Sequence, residues 1–562
     1  MTPLARVLCL SLACLLGAAG AAAADDPVWI FFSDKGLQMG DRGALTAARS
    51  RLSARAKKRR AKVLPADHLV DLSDLPVNSG YVQKVMQLGV RIRAVSKWLN
   101  AVSVSGTAQQ LDRIQALPFV IRRAPVLCFE RAPVPERNEL LKPAAQSSWD
   151  YGPSLSQNAM IKVPDVHANN IRGEGVLIAV FDTGFRLNHA AFAALRVLAQ
   201  YDFIQRDQNT NWETLDASSQ IYHGTQVLSV LAGDSPGNLI GPAFASEFLL
   251  AKTENTGSEK PIEEDYWIAA AEWADSLGAD IISSSVGYND WYAYENMDGN
   301  TAPITIAADL AVKKGILVVA SAGNEGDTWW KYVLAPADGD SVLAVGAVHS
   351  NGQIAAFSSR GPTADGRIKP DVVTPGVGIQ CVAVPGDEGV GAKYTSISGT
   401  SAAAPLAAGV AALVLAAHPD LTPMQVREAL IRTADRAANP DTLYGYGLLD
   451  AYAAVNYWGA PEPLPEKSEW VGCFPNPFSP RIHSHLEIVV DLAKNSRVEI
   501  ESYTMLGQRA ALIWKGERSA GKNRRWYWDG TDGKGRVVPS GVYWLRIRIN
   551  AVSLTRKITL LN

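Results

Sequence analysis

Gly175-Val176-Leu177-Ile178-Ala179-Val180-Phe181-Asp182-Thr183-Gly184 is the stretch that decides the fold of this 562-residue chain. An unbroken apolar run that ends on a carboxylate and a glycine reads as a parallel strand buried on both faces. Such strands belong to open α/β sheets, whose sites gather at the carboxyl ends of the strands. Asp182 stands at that end. Ile316-Leu317-Val318-Val319 is a second strand of the same kind and runs into Ala320-Ser321-Ala322-Gly323-Asn324.

Two apolar helices begin on side chains able to do chemistry. His223-Gly224-Thr225 opens a helix over Gln226 to Ala232. Gly399-Thr400-Ser401-Ala402-Ala403-Ala404-Pro405 puts a lone serine on a glycine-bearing turn before a helix that is apolar almost all round to Ala417. That composition predicts a buried helix. Pro405 reads as part of its first turn, where the N–H groups lack intrahelical partners in any case. The helix N-terminus would offer donors and partial positive charge beside the hydroxyl. A serine here also serves as an ordinary cap, so this segment alone leaves both readings open. Asp182 and His223 supply what a nucleophilic hydroxyl needs, a base and a carboxylate to orient that base. The chain order Asp182, His223, Ser401 is the order known for subtilisin.

On these three blocks the chain resembles the subtilases, the subtilisin-like serine peptidases of family S8, over about residues 145–458. Phe357-Ser358-Ser359-Arg360-Gly361-Pro362, Lys369-Pro370-Asp371 and Tyr444-Gly445-Tyr446-Gly447 resemble further blocks of the family. The resemblance implies an α/β fold, a subtilisin-like parallel sheet with helices on both faces. It implies Asp182, His223 and Ser401 as the triad and Asn324 as the oxyanion donor. In subtilisin, loss of that amide costs about 10²–10³ in turnover. Ser285-Val286-Gly287 would form one wall of the primary specificity pocket, and Ala322 and Gly323 belong to the opposite wall. These small residues suggest a roomy, apolar pocket. Gln226 replaces a histidine common in the family, and Ala402 replaces a methionine or phenylalanine. Neither position transfers a proton.

Composition fits a secreted enzyme. With 47% hydrophobic residues and a net charge of −2, nothing points to nucleic acid or an anionic membrane. Arg6, the apolar run Val7 to Leu16 and small residues to Ala24 read as a secretory signal peptide. The run is too short to span a bilayer comfortably, so no transmembrane segment is expected. Localisation is read as secreted, extracellular or bacterial cell surface. Cys9 and Cys14 leave with the leader. Cys128, Cys381 and Cys473 fall in different expected domains, which excludes an extensive disulfide framework.

The expected organisation is a signal peptide at 1–24, a small α+β inhibitory propeptide at 25–130 and a catalytic domain at 145–458. A proline-rich linker at 459–468 and a small β-sandwich at 469–562 follow. The propeptide tail is placed at Ala124 to Pro135 or somewhat later. Arg49 to Lys62 carries no acidic residue and is read as a solvated helical face in preference to a polyanion patch. Glu254, Glu259, Glu263, Glu264 and Asp265 precede a helix over Tyr266 to Ser276, where acidic side chains favour the N-terminus. The same oxygens are compatible with a structural calcium, although they match no transferable ligand set. His189 is read as a packing residue. In the C-terminal segment, Phe474-Pro475-Asn476-Pro477-Phe478, Met505-Leu506-Gly507, Trp528-Asp529-Gly530 and Ser540-Gly541-Val542-Tyr543 resemble the C-terminal modules of bacterial type IX secretion cargo. They equally resemble the Ig-like module of hook-capping proteins, so secretion or cell-surface machinery is one implied partner, and sorting, anchoring and binding all stay open. The segment's Trp526, Trp528 and Trp544 are read as packing residues in preference to a sugar platform.

The functional reading is a secreted serine endopeptidase, made as a zymogen, that cleaves polypeptides through an acyl-enzyme and binds its own propeptide. Its chemistry requires no cofactor. Two alternatives stay open from sequence, a narrow processing protease of surface proteins and a non-catalytic surface protein on the same scaffold.

Overall fold

The computed structural model describes residues 27–36, 42–65, 68–125, 149–257, 260–384, 393–459, 467–480, 485–494, 496–518, 521–532 and 535–561. The leader, Cys128, Glu259, the propeptide tail beyond Pro125 and most of the linker lie outside these residues.

Leu177–Asp182 is a strand with every residue buried. Leu177, Ala179 and Phe181 face one apolar layer, while Ile178 and Val180 face the other. Burial on two sides explains the unbroken apolar run. The strand sits inside a seven-stranded sheet ordered Val372–Pro375, Leu343–Val348, Leu317–Ser321, Ile281–Ser284, Leu177–Asp182, Glu247–Lys252, Arg196–Asp202. Every neighbouring pair is parallel. The helices Tyr222–Ala232 and Thr400–Ala417 pack on one face, and Ile262–Leu277 and Pro303–Lys313 on the other. Among the described residues, Thr400–Ala417 alone is long and apolar enough to cross a membrane, and 83% of it is buried as a core helix.

Ahead of this layer lies a four-stranded antiparallel sheet ordered Arg91–Ser96, Ala101–Ser105, Pro27–Phe32, Val120–Pro125. Val28, Ile30 and Phe32 pack beneath the helices Ser79–Gln87 and Ala108–Gln115. Trp29 and Phe31, on the alternate face, join Trp267, Ala270 and Ala274 of the Ile262–Leu277 helix. Period-two alternation thus serves two cores at once. Arg49 to Lys62 departs from the solvated face read from sequence. Arg59 and Arg60 are 1% and 0% exposed, because Asp275, more than 200 positions away, pairs with both and Asp74 pairs with Arg60.

The C-terminal strands form a three-stranded and a four-stranded antiparallel sheet around one apolar core. Trp526 and Trp528 lie in that core, while Trp544 is half-exposed. Cys381 and Cys473 form no disulfide.

The helix expected over Tyr266 to Ser276 begins earlier, at Ile262, so Glu263, Glu264 and Asp265 occupy its first turn. Each carboxylate faces protein groups. Glu263 accepts from the Asn255 and Lys260 N–H groups, and Asp265 pairs with Arg93 at 3.2 Å. Glu264 accepts from Trp291 Nε1 and the Tyr292 hydroxyl, each at 2.8 Å. Burial nevertheless pushes the Glu264 carboxyl up from 4.5 to about 8. A value raised on folding contributes stability that is full below about pH 4.5 and is lost as pH rises through about 8. Glu264→Gln keeps the shape and removes the titration, so its Tm is expected to fall less between about pH 5 and pH 9. Thermal unfolding across that range checks this, and equal slopes in both proteins would refute it.

Candidate active site

Asp182, the last residue of its strand, is fully buried. Its Oδ1 accepts from His223 Nδ1 at 2.7 Å and from the Thr183 N–H at 2.7 Å. A carboxylate oxygen only accepts, so this bond assigns the proton to Nδ1 and leaves Nε2 as the basic nitrogen. His223 stands in the first turn of the Tyr222–Ala232 helix. Close approach of helix and strand depends on Gly224, where a Cβ would lie 2.3 Å from the Gly184 carbonyl oxygen and 3.1 Å from Asp182.

Ser401 is the second residue of the Thr400–Ala417 helix. Pro405 is inside that helix and not in its first turn as expected, so a proline sits where an N–H would have bonded the Ser401 carbonyl. Ser285 Oγ donates to that carbonyl instead, at 2.9 Å. Ser285, read from sequence as part of a pocket wall, therefore also braces the backbone at Ser401. Thr374 Oγ1 likewise donates to the Ala403 carbonyl at 2.8 Å.

Asn324 follows the Leu317–Ser321 strand and is held from one side. Its Oδ1 accepts from the Thr400 N–H at 2.9 Å and from Thr400 Oγ1 at 3.0 Å. Thr400 Oγ1 in turn accepts from the Gly323 N–H at 3.1 Å. Two donors on Oδ1 fix the amide's orientation and turn Nδ2 the other way. That nitrogen faces the hollow left by Gly399. A Cβ on Gly399 would lie 2.9 Å from Ser401 Oγ and 3.4 Å from Asn324 Nδ2.

Between the two segments read from sequence as pocket walls stands Leu334, 6% exposed, where the small residues by themselves suggested open space. A Cβ on Gly323 would lie 2.5 Å from Leu334 Cγ, and one on Gly287 would lie 3.2 Å from Leu334 Cβ. Backbone bonds seat the leucine: its N–H donates to the Ala322 carbonyl at 3.0 Å, and Tyr288 and Ala335 exchange bonds of 2.8 and 3.1 Å. Val286 is half-buried and Ala322 fully buried. Sequence reasoning missed Leu334 because its segment carries no motif, and missed Thr400 because its partner Asn324 is remote in the chain. His189 is a capping residue whose Nδ1 accepts from the Ala191 N–H at 3.1 Å.

Residues 173–447 match the subtilase family, and residues 27–139 match the peptidase S8 propeptide domain of Bacteroidota. Subtilisin of Bacillus pumilus is 36% identical over 300 residues, 53% of this chain and 97% of its own length. The chain belongs to the subtilase family. Subtilisin E of Bacillus subtilis (strain 168) is also 36% identical, over 53% of this chain and 70% of its own length. Serine protease AprX of the same strain is 30% identical, over 51% and 68%. This subtilase is a serine-type endopeptidase that carries its own propeptide domain.

The hollow at Gly399 yields a direct test. Gly399→Ala is expected to lower kcat/KM for peptide hydrolysis by at least about 100-fold, the scale of losing an oxyanion donor. Undiminished turnover in the folded variant would exclude the hollow from the reaction.

Proposed function

We propose that Ser401 is the nucleophile, His223 the general base and acid, and Asp182 the residue that orients His223. The bond from His223 Nδ1 to Asp182 Oδ1 at 2.7 Å carries this reading, with Ser401 Oγ and Asn324 Nδ2 bordering one hollow. Ser401 Oγ attacks the peptide carbonyl carbon while His223 Nε2 takes the hydroxyl proton. Asp182 stabilises the imidazolium that results. The carbonyl electrons move onto oxygen, where Asn324 Nδ2 and the Ser401 N–H donate to it. That N–H belongs to the first turn of its helix, whose donors have no intrahelical acceptor. Collapse breaks the C–N bond, and His223 returns the proton to the leaving amine. Water, activated by the same imidazole, then hydrolyses the acyl-enzyme. Protein groups fill every role, so the chemistry calls for no cofactor.

The enzyme is exported as a zymogen whose propeptide blocks the site until the junction is cut. A complete constellation favours this over a non-catalytic scaffold. Ser401→Ala, with its junction cut by an added protease and its propeptide removed, is expected to show turnover lowered by about 10⁶, the scale known from subtilisin, and no fluorophosphonate labelling. Comparable hydrolysis or labelling by the variant would overturn the triad.

Leu334 points to a shallow primary pocket suited to small side chains. Leu334→Gly is expected to raise kcat/KM for a phenylalanine at the cleaved position over alanine by at least about tenfold. An unchanged ratio across matched peptide substrates would remove Leu334 from the pocket. Digestion of an unfolded protein separates a broad enzyme, which reduces it to small peptides, from a narrow processing protease.

A further inference from the structure

The Ile262–Leu277 helix ends in an arrangement that is unfavourable by itself. Its last turn has no basic residue and contains Asp275, which is fully buried. A helix C-terminus carries partial negative charge and repels a carboxylate, and its last carbonyls lack intrahelical donors. Both deficits are met by the propeptide domain. The Ser53 N–H donates to the Ser276 carbonyl at 3.1 Å, and Ser53 Oγ donates to the Leu277 carbonyl at 2.9 Å. Arg59 donates to the carbonyls of Ala279 at 2.8 Å, Asp275 at 3.3 Å and Lys314 at 3.2 Å. Arg59 and Arg60 both bond the Asp275 carboxylate, and Arg60 also forks onto Asp74 at 2.7 and 2.9 Å.

Shape matches charge. Gly278, at φ +98°, is the left-handed residue that ends the helix, and a Cβ there would lie 2.7 Å from the Ala56 nitrogen. A Cβ on Gly315 would lie 3.2 Å from the Arg59 carbonyl oxygen. The Ala54–Arg60 helix, too short to persist alone, therefore rests in a notch of two glycines. Arg55 extends the contact to Glu247 at 2.7 Å and Asp280 at 3.0 Å.

We propose that the catalytic domain carries a binding site for paired arginines at the end of its Ile262–Leu277 helix, and that Arg59 and Arg60 of the propeptide are its ligand. The site acts as a latch independent of the active-site cleft. It holds the propeptide after the junction is cut, so its opening governs release. The release step rests on the zymogen reading above, whereas the binding site does not. Loss of one side of a buried ion cluster strands the other, which weakens the contact far more than loss of a surface pair would.

Hydrogen exchange on the full-length Ser401→Ala chain tests the latch without any self-cleavage. Arg59→Met/Arg60→Met is expected to speed exchange at least about tenfold in the last turn of Ile262–Leu277 and in Pro27–Phe32. The Leu177–Asp182 strand is expected to keep its protection. Asp275→Asn, which leaves the propeptide unaltered, should loosen the same segments, and it decides the matter if the arginine variant does not fold. Lys58→Met, on the exposed side of the same helix, should change nothing. Unchanged exchange in the folded latch variants, or equal loosening by Lys58→Met, would overturn the proposal. With Ser401 intact, the latch substitutions should shorten the interval between junction cleavage and full activity. Absence of cleavage in the unmodified chain would count against the zymogen reading and leave the exchange result standing.

Discussion

Burial of the Thr400–Ala417 helix within the apolar layer of the parallel sheet is the constraint on which the rest of the molecule depends. The helix contributes almost its whole surface to the core, so its start cannot shift without repacking that layer. Its first turn is tied to three sheet-derived segments. Ser285 bonds the Ser401 carbonyl, Asn324 bonds Thr400, and Thr374 bonds Ala403. A proline inside the helix would ordinarily weaken it, yet here it frees a carbonyl for Ser285. Rigid elements thus hold the Ser401 hydroxyl, as the proposed attack on a peptide carbonyl requires.

The second organising constraint is charge carried across the propeptide interface. The Ile262–Leu277 helix presents Asp265, Glu272 and Asp275, and each meets propeptide groups. Arg93 pairs with Asp265. Ser96 Oγ and the Trp98 N–H donate to Glu272 at 2.8 and 3.0 Å. Arg59 and Arg60 meet Asp275. Burial raises the Asp265 carboxyl to about 6, which the Arg93 charge opposes. Specificity between the two domains therefore lies in matched ionic groups laid over an apolar contact of Trp29 and Phe31.

Much of the architecture was legible because local composition and tertiary role coincide. The run Val176 to Phe181 could be read as a central strand, since a strand covered on both faces must be apolar throughout. The alternation at Leu486 to Val490 could be read as half-buried for the opposite reason. Arg49 to Lys62 defeated the same logic. A run of cations without local acids looks solvated, and the carboxylate that buries Arg59 and Arg60 lies more than 200 positions away. Leu334 was illegible for a related reason, because small residues in two walls say nothing about what a third segment inserts between them.

By itself the sequence determined the buried strand that ends on Asp182 and the apolar helices that begin at His223 and Ser401, while Asn324 was singled out only by resemblance to a family. The strand and helices follow from periodicity and from residue types whose chemistry is intrinsic. Tertiary structure alone decided the tautomer of His223, the orientation of the Asn324 amide, the seating of Leu334 against Gly287 and Gly323 and the burial of two arginines. Each of these depends on a partner brought close by folding. Electrostatics and packing act over ångströms in space, whatever the separation along the chain.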